Sequence, residues 1–373
     1  MTNVVKVGIV GCGNIADNHY RAYAASEGVE VVGVCDVAVD RAHAFAQERG
    51  VPQAVGSVAE LLSLGVDLVS VCTPHPTHEA VVLAAAAAGV NVICEKPIAA
   101  DVAAAERMIA ATDAAGVRFG VVFQRRYWPG AQRLRAAIDD GRFGRPMLAN
   151  YQVLLHRGAE YYDAAAWRGT WDADGGGVLM TQAIHNLDLL QWFLGRPVEV
   201  SAKAGTFVHG ELIEVEDTAA ALVTFESGAV AVVTATVVAA PGLGTRLVVT
   251  SDTGATATVT EYPEGADGVN EVWTLPDEAH ARSAFPDGLQ PDIPVAEVNG
   301  RLAPLHARQL ADFVDAVREG RDPIVTGRDA LRSLQIVEAV YESARTGLPV
   351  GIGAPKDEPA FRQLAAHEPV ARA

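Results

Sequence analysis

A chain of 373 residues, half of them apolar and one fifth charged, has material for two domains with their own cores and the profile of a soluble globular protein. Its 29 basic against 46 acidic residues leave a net charge of −17, which argues against nucleic acid or an anionic membrane as the main partner but leaves room for a local arginine cluster around an anionic substrate. The longest apolar run, Ala80 to Ala88 with Gly89 and Val90 behind it, is too short to span a bilayer, and the first strand begins too near Met1 to leave room for a signal peptide, so a cytoplasmic location is expected.

The first element is the stretch Lys6 to Tyr23, KVGIVGCGNIADNHYRAY. Val7, Ile9 and Val10 around Gly8 read as a short buried parallel strand. Gly11, Gly13 and Ala16 follow as G-x-G-x-x-A and lead into a helical pattern. The first glycine permits a tight turn, the second lets backbone approach a pyrophosphate, and the small third position lets the helix sit close on the strand. Gly11, Gly13, Asn14 and Ile15 are therefore the expected phosphate-binding residues. A second strand, Val29 to Cys35, ends in Asp36, about twenty residues on, where a ribose-binding acid is expected. An acid there accepts hydrogen bonds from ribose hydroxyls and repels a 2′-phosphate, which predicts NAD over NADP, although Arg41 nearby favours the phosphate.

Helices are predicted around Val39 to Glu48 and over Val58 to Leu64, then a strand, Asp67 to Cys72, ending in Thr73-Pro74-His75. A helix from Thr77 to Ala88 leads to the strand Asn91 to Cys94 and to Glu95-Lys96-Pro97. The helix Val102 to Ala115 precedes the strand Arg118 to Phe123 and Gln124-Arg125-Arg126-Tyr127. This βαβ alternation predicts a doubly wound parallel sheet over residues 1–125, with ligands bound beyond the carboxyl ends of its strands. Thr73, Pro74, His75, His78, Glu95, Lys96 and Gln124 lie at those ends and are the expected cofactor-lining residues. The four cysteines, Cys12, Cys35, Cys72 and Cys94, fall in or beside these strands, lack zinc-site spacing, and read as small buried hydrophobes.

From about Pro146 the period changes. Met147 to His156 reads as a strand, and Val178 to Leu194 as a helix with Leu179, Ala183, Leu187, Leu190 and Leu194 in one apolar stripe. Strand-like runs follow at Val198 to Val208, Thr218 to Phe225, Ala229 to Val238, Arg246 to Thr250 and Ala255 to Thr260, with turns at Glu226-Ser227-Gly228 and Asp252-Thr253-Gly254. Residues 126–350 thus read as an α+β domain on an antiparallel sheet. Pro263 to Pro304 reads as irregular, with one strand around Glu271 to Leu275. Helices at His306 to Glu319 and Arg328 to Thr346 close the fold, as part of this domain or packing back on the first; 351–373 reads as a tail.

Three constellations carry chemistry. Lys96, at a strand end beside a nicotinamide, would feel the positive ring and partial desolvation, both of which lower its pKa and let it take a proton from a substrate hydroxyl. Glu95 would orient it, and Pro97 would fix the turn through a cis bond. A surface Glu–Lys pair is the alternative. Second, Gly175-Gly176-Gly177 leads into a helix on which Thr181, His185 and Asp188, spaced i, i+4, i+7, share one face, with Gln182 beside them. His185 suits acid–base work or a substrate hydroxyl; a buried histidine bonded to Asp188 is the alternative. Third, Tyr161-Tyr162 through Trp167-Arg168-Gly169-Thr170-Trp171 sets aromatics around an arginine, which suits a polyhydroxylated ring or a carboxylate, or else a loop packed on the sheet. No spacing supports a metal site.

These motifs together resemble the Gfo/Idh/MocA oxidoreductases. The resemblance rests on GCGNIA, TPHPTHEAVVLAAAAAGVNVICEKP, GGGVLMTQAIHNLDLLQWFLG, VEDTAAALVTFESGAVAV and DFVDAVREGRDPIVTGRDALRSLQIVEAVYESARTGLPV, and covers nearly the whole chain. It implies an N-terminal Rossmann domain, a C-terminal open, mostly antiparallel sheet that builds homodimers or homotetramers, Lys96 as catalytic lysine and His185 as active-site histidine. The family's helix often carries an aspartate four residues before that histidine; here Thr181 stands there, which makes Lys96 the stronger candidate for base. The resulting expectation is an NAD-dependent dehydrogenase oxidising a secondary hydroxyl of a sugar, cyclitol or sugar acid, nucleotide-linked or free. The hydroxyl would sit between Lys96 and His185, and Arg126, Tyr162, Arg168, Thr181 and Gln182 would hold the rest. An NAD-retaining glycosidase that works by transient oxidation and a non-catalytic sugar or nucleotide sensor are the competing readings.

Overall fold

The computed structural model describes residues 4–164, 168–275 and 293–353. The tail from residue 354, Trp167 and part of the Pro263 to Pro304 stretch lie outside them.

The first sheet is built from β1 (Val5–Val10), β2 (Val29–Cys35), β3 (Gln53–Val55), β4 (Leu68–Val71), β5 (Asn91–Cys94) and β6 (Phe119–Val121). Its order is β3-β2-β1-β4-β5-β6, and every pairing is parallel. The order reverses between β1 and β4, which opens a crevice at their carboxyl ends. Helices α1 (Asn14–Ala24), α2 (Val39–Arg49), α3 (Val58–Ser63), α4 (His78–Ala87) and α5 (Val102–Ala115) supply the crossovers. Both faces of the sheet are covered, so β4 is buried at every position, its one polar residue, Ser70, included. Start signals are local: Ser57 and Glu60 form a capping box on α3, and Asp101 caps α5. The three-residue edge strand β3 is too short to carry a periodic signal and was not anticipated.

Past β6, a 3₁₀ turn, Gln124–Tyr127, leads into α6 (Pro129–Asp139), a helix the sequence reading missed. Pro129-Gly130 resembles a loop, yet proline is well suited to a helix's first position, and Ala131, Leu134 and Ala137 make its buried stripe. The second sheet contains β7 (Pro146–Leu154), β8 (Pro197–Gly205), β9 (Thr218–Phe225), β10 (Val230–Thr236), β11 (Gly244–Ser251), β12 (Thr256–Glu261) and β13 (Val350–Gly351), in the order β12-β11-β7-β10-β9-β8-β13. It is antiparallel except where β10 runs parallel to β7. Short helices α7 (Ala159–Asp163) and α8 (Trp171–Asp174) bridge β7 to the triple glycine. The Glu271 to Leu275 segment forms only isolated bridging, Trp273 with Ala257, and not a strand.

The helix expected over Val178 to Leu194 is two pieces: a wide π-helical turn, Leu179–Ala183, followed by α9 (Ile184–Leu194). Helix α10 (Val295–Glu319) begins eleven residues before the expected start at His306, with Pro304 inside it, and α11 (Gly327–Thr346) opens on a Thr326–Asp329 capping box. Val298, Leu302 and Leu305 extend the buried stripe of α10 N-terminally across the proline. Both closing helices reach the first sheet. Phe313 of α10 packs in a core cluster with Val7, Ile9 and Val34, and Gln309 Nε2 donates to the Val121 carbonyl of β6 at 2.7 Å.

Candidate active site

The glycine loop joins β1 to α1. Gly11 has φ +90°, and a Cβ there would lie 2.6 Å from the Cys72 carbonyl oxygen, so only glycine fits the turn. A Cβ on Gly13 would meet no protein atom within 4 Å. That space lies at the N-terminus of α1, where a pyrophosphate fits between backbone amides and the positive end of the helix. At the end of β2, Asp36 is 6 % exposed; its carboxylate accepts from Cys12 N at 3.0 Å and Ala38 N at 2.8 Å, and Arg41 Nη1 lies 3.3 Å away. A carboxylate fixed in this way keeps lone pairs for ribose hydroxyls. Two further polar atoms at strand ends, Thr73 Oγ1 and Gln124 Oε1, are buried without a protein partner, as expected of groups that meet a ligand. The donor set thus fits a dinucleotide. Cys12, buried beside Asp36 and Cys35, has its thiol pushed up to about 12, which keeps it protonated inside the loop.

Lys96 follows β5, in a turn closed by a cis Lys96–Pro97 bond. Its Nζ donates to the Thr181 carbonyl at 2.9 Å, in the wide turn that precedes His185. Burial pushes the ammonium below the ordinary lysine value; Glu95 works against the fall, and Arg125 adds to it. His185 is 7 % exposed, its ring edge-on to Phe123, and its Nδ1 has no protein partner. Burial, then the charges of Lys96 and Arg125, hold its pKa well below 6.5, so the imidazole is neutral near neutral pH. The Asp188 bond considered for it is absent, because Asp188 accepts instead from Arg126 and Gln191; the π turn, which ends between Thr181 and His185, breaks the face those two were expected to share. Thr181 Oγ1 donates to Gly177 O at 2.8 Å and also meets Gln182, whose Nε2 donates to Tyr161 Oη at 3.2 Å.

Three side chains expected to meet ligand are instead committed to the protein. Arg126, 1 % exposed, donates from Nε and Nη2 to Asp188 at 2.7 Å each and from Nη1 to the Ile324 carbonyl at 3.0 Å. It is a structural cation and not a substrate contact. His78 has both ring nitrogens on backbone carbonyls, Nε2 at 2.9 Å from Thr73 O and Nδ1 at 3.0 Å from Pro97 O, so it ties two strand-end turns together. Glu95, 7 % exposed, faces His19 and the Lys96 amide. His75, by contrast, stays at the cleft. Its Nδ1 donates to Asp174 O at 3.3 Å, and burial, then the charges of His78 and Lys96, pull it down to about 3.

On the other wall, Tyr162 packs on Tyr161 and His209, and Arg168 donates to Tyr161 O at 2.7 Å with its guanidinium over the Tyr161 ring. The sequence reading missed several groups here. Arg125, and not its neighbour Arg126, sends its charge toward Lys96 and His185, while pairing with Asn186 at 2.8 Å and Glu261 at 3.0 Å. Arg157 pairs with Glu264 at 2.7 Å. Asp174, 4 % exposed, accepts from Gly169 N at 2.7 Å. Glu216 accepts from Gly177 N at 2.8 Å and Leu179 N at 2.9 Å, and so pins the triple glycine; its partners lie some forty residues earlier, out of reach of any local pattern. A groove of about 750 Å³, lined by Glu27, Asp67 and Arg318 among others, opens at the amino ends of β1, β4 and β5, the opposite edge of the sheet from all of these groups.

A parallel sheet with a glycine loop at its crevice, and a lysine and a histidine facing each other across it, defines an NAD-binding oxidoreductase. Residues 5–123 match the oxidoreductase family with NAD-binding Rossmann fold, and residues 131–257 match the GFO/IDH/MocA C-terminal domain. D-apiose dehydrogenase of Paraburkholderia graminis is 29% identical over 92% of this chain and 88% of its own length. 1,5-Anhydro-D-fructose reductase of Ensifer adhaerens is 30% identical over 91% of this chain and 96% of its own. The solved WlbA dehydrogenase of Bordetella pertussis, in complex with NADH and UDP-GlcNAcA, superposes with a TM-score of 0.79 at 30% identity, covering 94% of this chain and 99% of its own. The chain belongs to the Gfo/Idh/MocA oxidoreductase family.

Proposed function

We propose that this protein oxidises a secondary hydroxyl of a sugar, cyclitol or sugar acid, free or nucleotide-linked, with Lys96 as the base. The observation that carries the reading is the contact of Lys96 Nζ with the Thr181 carbonyl at 2.9 Å, which places the lysine one turn from His185 across the cleft. NAD⁺ bound at the glycine loop supplies the hydride acceptor. Lys96, as neutral amine, takes the hydroxyl proton while the carbon loses hydride, which leaves a ketone and a lysine ammonium. The ammonium can then rest on Thr181 O. Neutral His185 offers a nitrogen to orient the hydroxyl, and its lowered pKa keeps it from competing for the proton. Tyr162, Arg168 and Gln182 line the side where the remainder of the substrate would lie. The names of the relatives support this class, since they include dehydrogenases of a free sugar and of inositols. They give no support to the glycosidase or the sensor.

Assembly belongs to the same proposal, with residues 126–350 serving both substrate and oligomer. On the uncovered face of the second sheet, Leu148, Leu222 and Val232 are 51 %, 45 % and 40 % exposed, and Val232 is in register with Leu222. Such a patch suits burial against another copy of the chain, as a homodimer or homotetramer.

A panel of aldoses, aldonic acids, inositols and nucleotide sugars, read by NADH absorbance, tests the chemistry. At least one should yield NADH in stoichiometric release. NADH formation from none of them, together with no oxidation of NADH by the corresponding ketones, would contradict the proposal.

A further inference from the structure

Behind Lys96 lies a chain of buried polar groups that the proposed reaction leaves without a role. Glu95 is buried at the end of β5. Its Oε1 is 2.8 Å from His19 Nε2, and the other ring nitrogen of His19 is 2.6 Å from Ser70 Oγ on β4. Tyr23 Oη donates to the same serine at 3.2 Å, and His306 Nε2, from α10, stands 3.9 Å from Glu95 Oε1. The second carboxylate oxygen, Oε2, accepts from the Lys96 backbone amide at 3.2 Å. His19 and Ser70 are 0 % exposed, and side chains from α1, β4 and the closing helix α10 converge on the single carboxylate that follows β5.

A buried carboxylate with a bonded histidine on one side and the catalytic turn on the other does more than hold the backbone. We propose that Glu95, anchored by His19 and Ser70, is a positioning residue that fixes a negative charge beside Lys96 and tunes the proton affinity of that lysine. The inference rests on the reading of Lys96 as base. Burial alone would push the Glu95 carboxyl up, but the hydrogen bond with His19, joined by the Lys96 ammonium, brings it to about 2, so the carboxylate is ionised at working pH. Among the charged groups around Lys96, Glu95 and Asp174 favour the ammonium, Arg125 and Arg157 oppose it, and the imidazoles of His75, His185 and His306 are held neutral. Glu95 leads the favourable pair. Without it, desolvation and the two guanidinium groups would draw the lysine further down.

The chain has four lysines, Lys6, Lys96, Lys203 and Lys356, so lysine-selective carbon-13 NMR resolves each one, and Lys96→Met assigns the signal of interest. In Glu95→Gln the Lys96 titration midpoint should move to lower pH by roughly one unit or more, the order expected for losing a neighbouring opposite charge. Lys6 and Lys203 should stay where they are. Glu95→Asp, which keeps the charge, should leave the Lys96 midpoint closer to wild type than Glu95→Gln does. An unchanged midpoint in Glu95→Gln overturns the proposal, as does an equal fall in both variants. The coupling can also be read without any Glu95 variant. A carboxylate depressed in the folded state contributes stability above its unfolded pKa and loses it as pH falls. Lys96→Met removes one cause of that depression, so the Glu95 carboxyl itself, followed by side-chain carboxyl carbon-13 NMR, should titrate at higher pH than in wild type; an equal or lower midpoint counts against the coupling. Neither readout needs substrate, so failure here with Lys96-dependent turnover intact sinks only the positioning role. A shifted Lys96 midpoint without Lys96-dependent turnover sinks the proposed function instead.

Discussion

Burial draws the Lys96 ammonium below the 10.5 of a free lysine, while His185, desolvated and facing two cations, is neutral through the working range. The sign of the pH dependence follows. Oxidation needs the neutral amine, so the rate should rise with pH through a single limb, lying below 10.5, that belongs to Lys96; a limb near 6.5 that vanished in His185→Ala would instead assign the base to the histidine. Asp36 makes the second prediction at this scale. Its carboxylate is held by two backbone amides and would repel a 2′-phosphate, whereas Arg41 contacts it through a guanidinium whose side chain is 60 % exposed. NAD should therefore bind at least roughly tenfold more tightly than NADP, about 1.4 kcal/mol by titration calorimetry. Equal affinities would show that Arg41 outweighs the aspartate.

Among the elements, the junction between the first sheet and α9 is held by Arg126 and Asp188, each 1 % exposed at its side chain and joined by two hydrogen bonds. Burial raises the Asp188 carboxyl and the guanidinium opposes that, so removing the arginine strands a carboxylate in an apolar junction. Arg126→Met should cost about 3–5 kcal/mol in denaturant unfolding, far more than an exposed pair such as Arg196–Glu226. A loss below about 1 kcal/mol would return Arg126 to the list of ligand contacts. Gly177 is equally unforgiving, since a Cβ there would stand 1.8 Å from the Glu216 carbonyl oxygen. The same elements show what a sequence can and cannot reveal. Strands β1, β2 and β5, the glycine loop and the Lys96 turn were legible because their signals are local: apolar runs, glycine spacing, a strand end. The choice between Arg125 and Arg126 was not, because adjacent residues in a 3₁₀ turn point to different places and only the fold says which meets the cleft. The π turn was hidden for a related reason. Its composition is that of the α-helix it interrupts, and its extra residue per turn appears only as a broken i, i+4, i+7 face.

For the whole molecule, the closing helices bind the second sheet to the first: α11 packs on α9 and β8, α10 packs on α1, and Arg318 Nη2 reaches the Gly28 carbonyl at 2.7 Å. The cleft between glycine loop and triple glycine is flanked by two core clusters, one holding Cys12 and Ala16 and the other Val178 and Leu179, while the outer face of the second sheet exposes Leu148, Leu222 and Val232. Light scattering at micromolar concentration should give a dimer or tetramer, and Leu222→Asp, in the middle of that face, should shift it toward monomer while NAD binding persists. A wild-type monomer would remove the assembly role from the sheet. Among the described residues no helix is long and apolar enough to cross a membrane.

The account turns on one side chain, and Lys96→Met tests it most directly, once a polyol that yields NADH is in hand. Methionine keeps much of the length and apolar stem of lysine but can neither accept a proton nor carry a charge. Single-turnover formation of NADH at saturating substrate should slow by roughly two to four orders of magnitude, with NAD affinity by calorimetry within a fewfold of wild type. Turnover within a fewfold of wild type would contradict the assignment of Lys96 as the base.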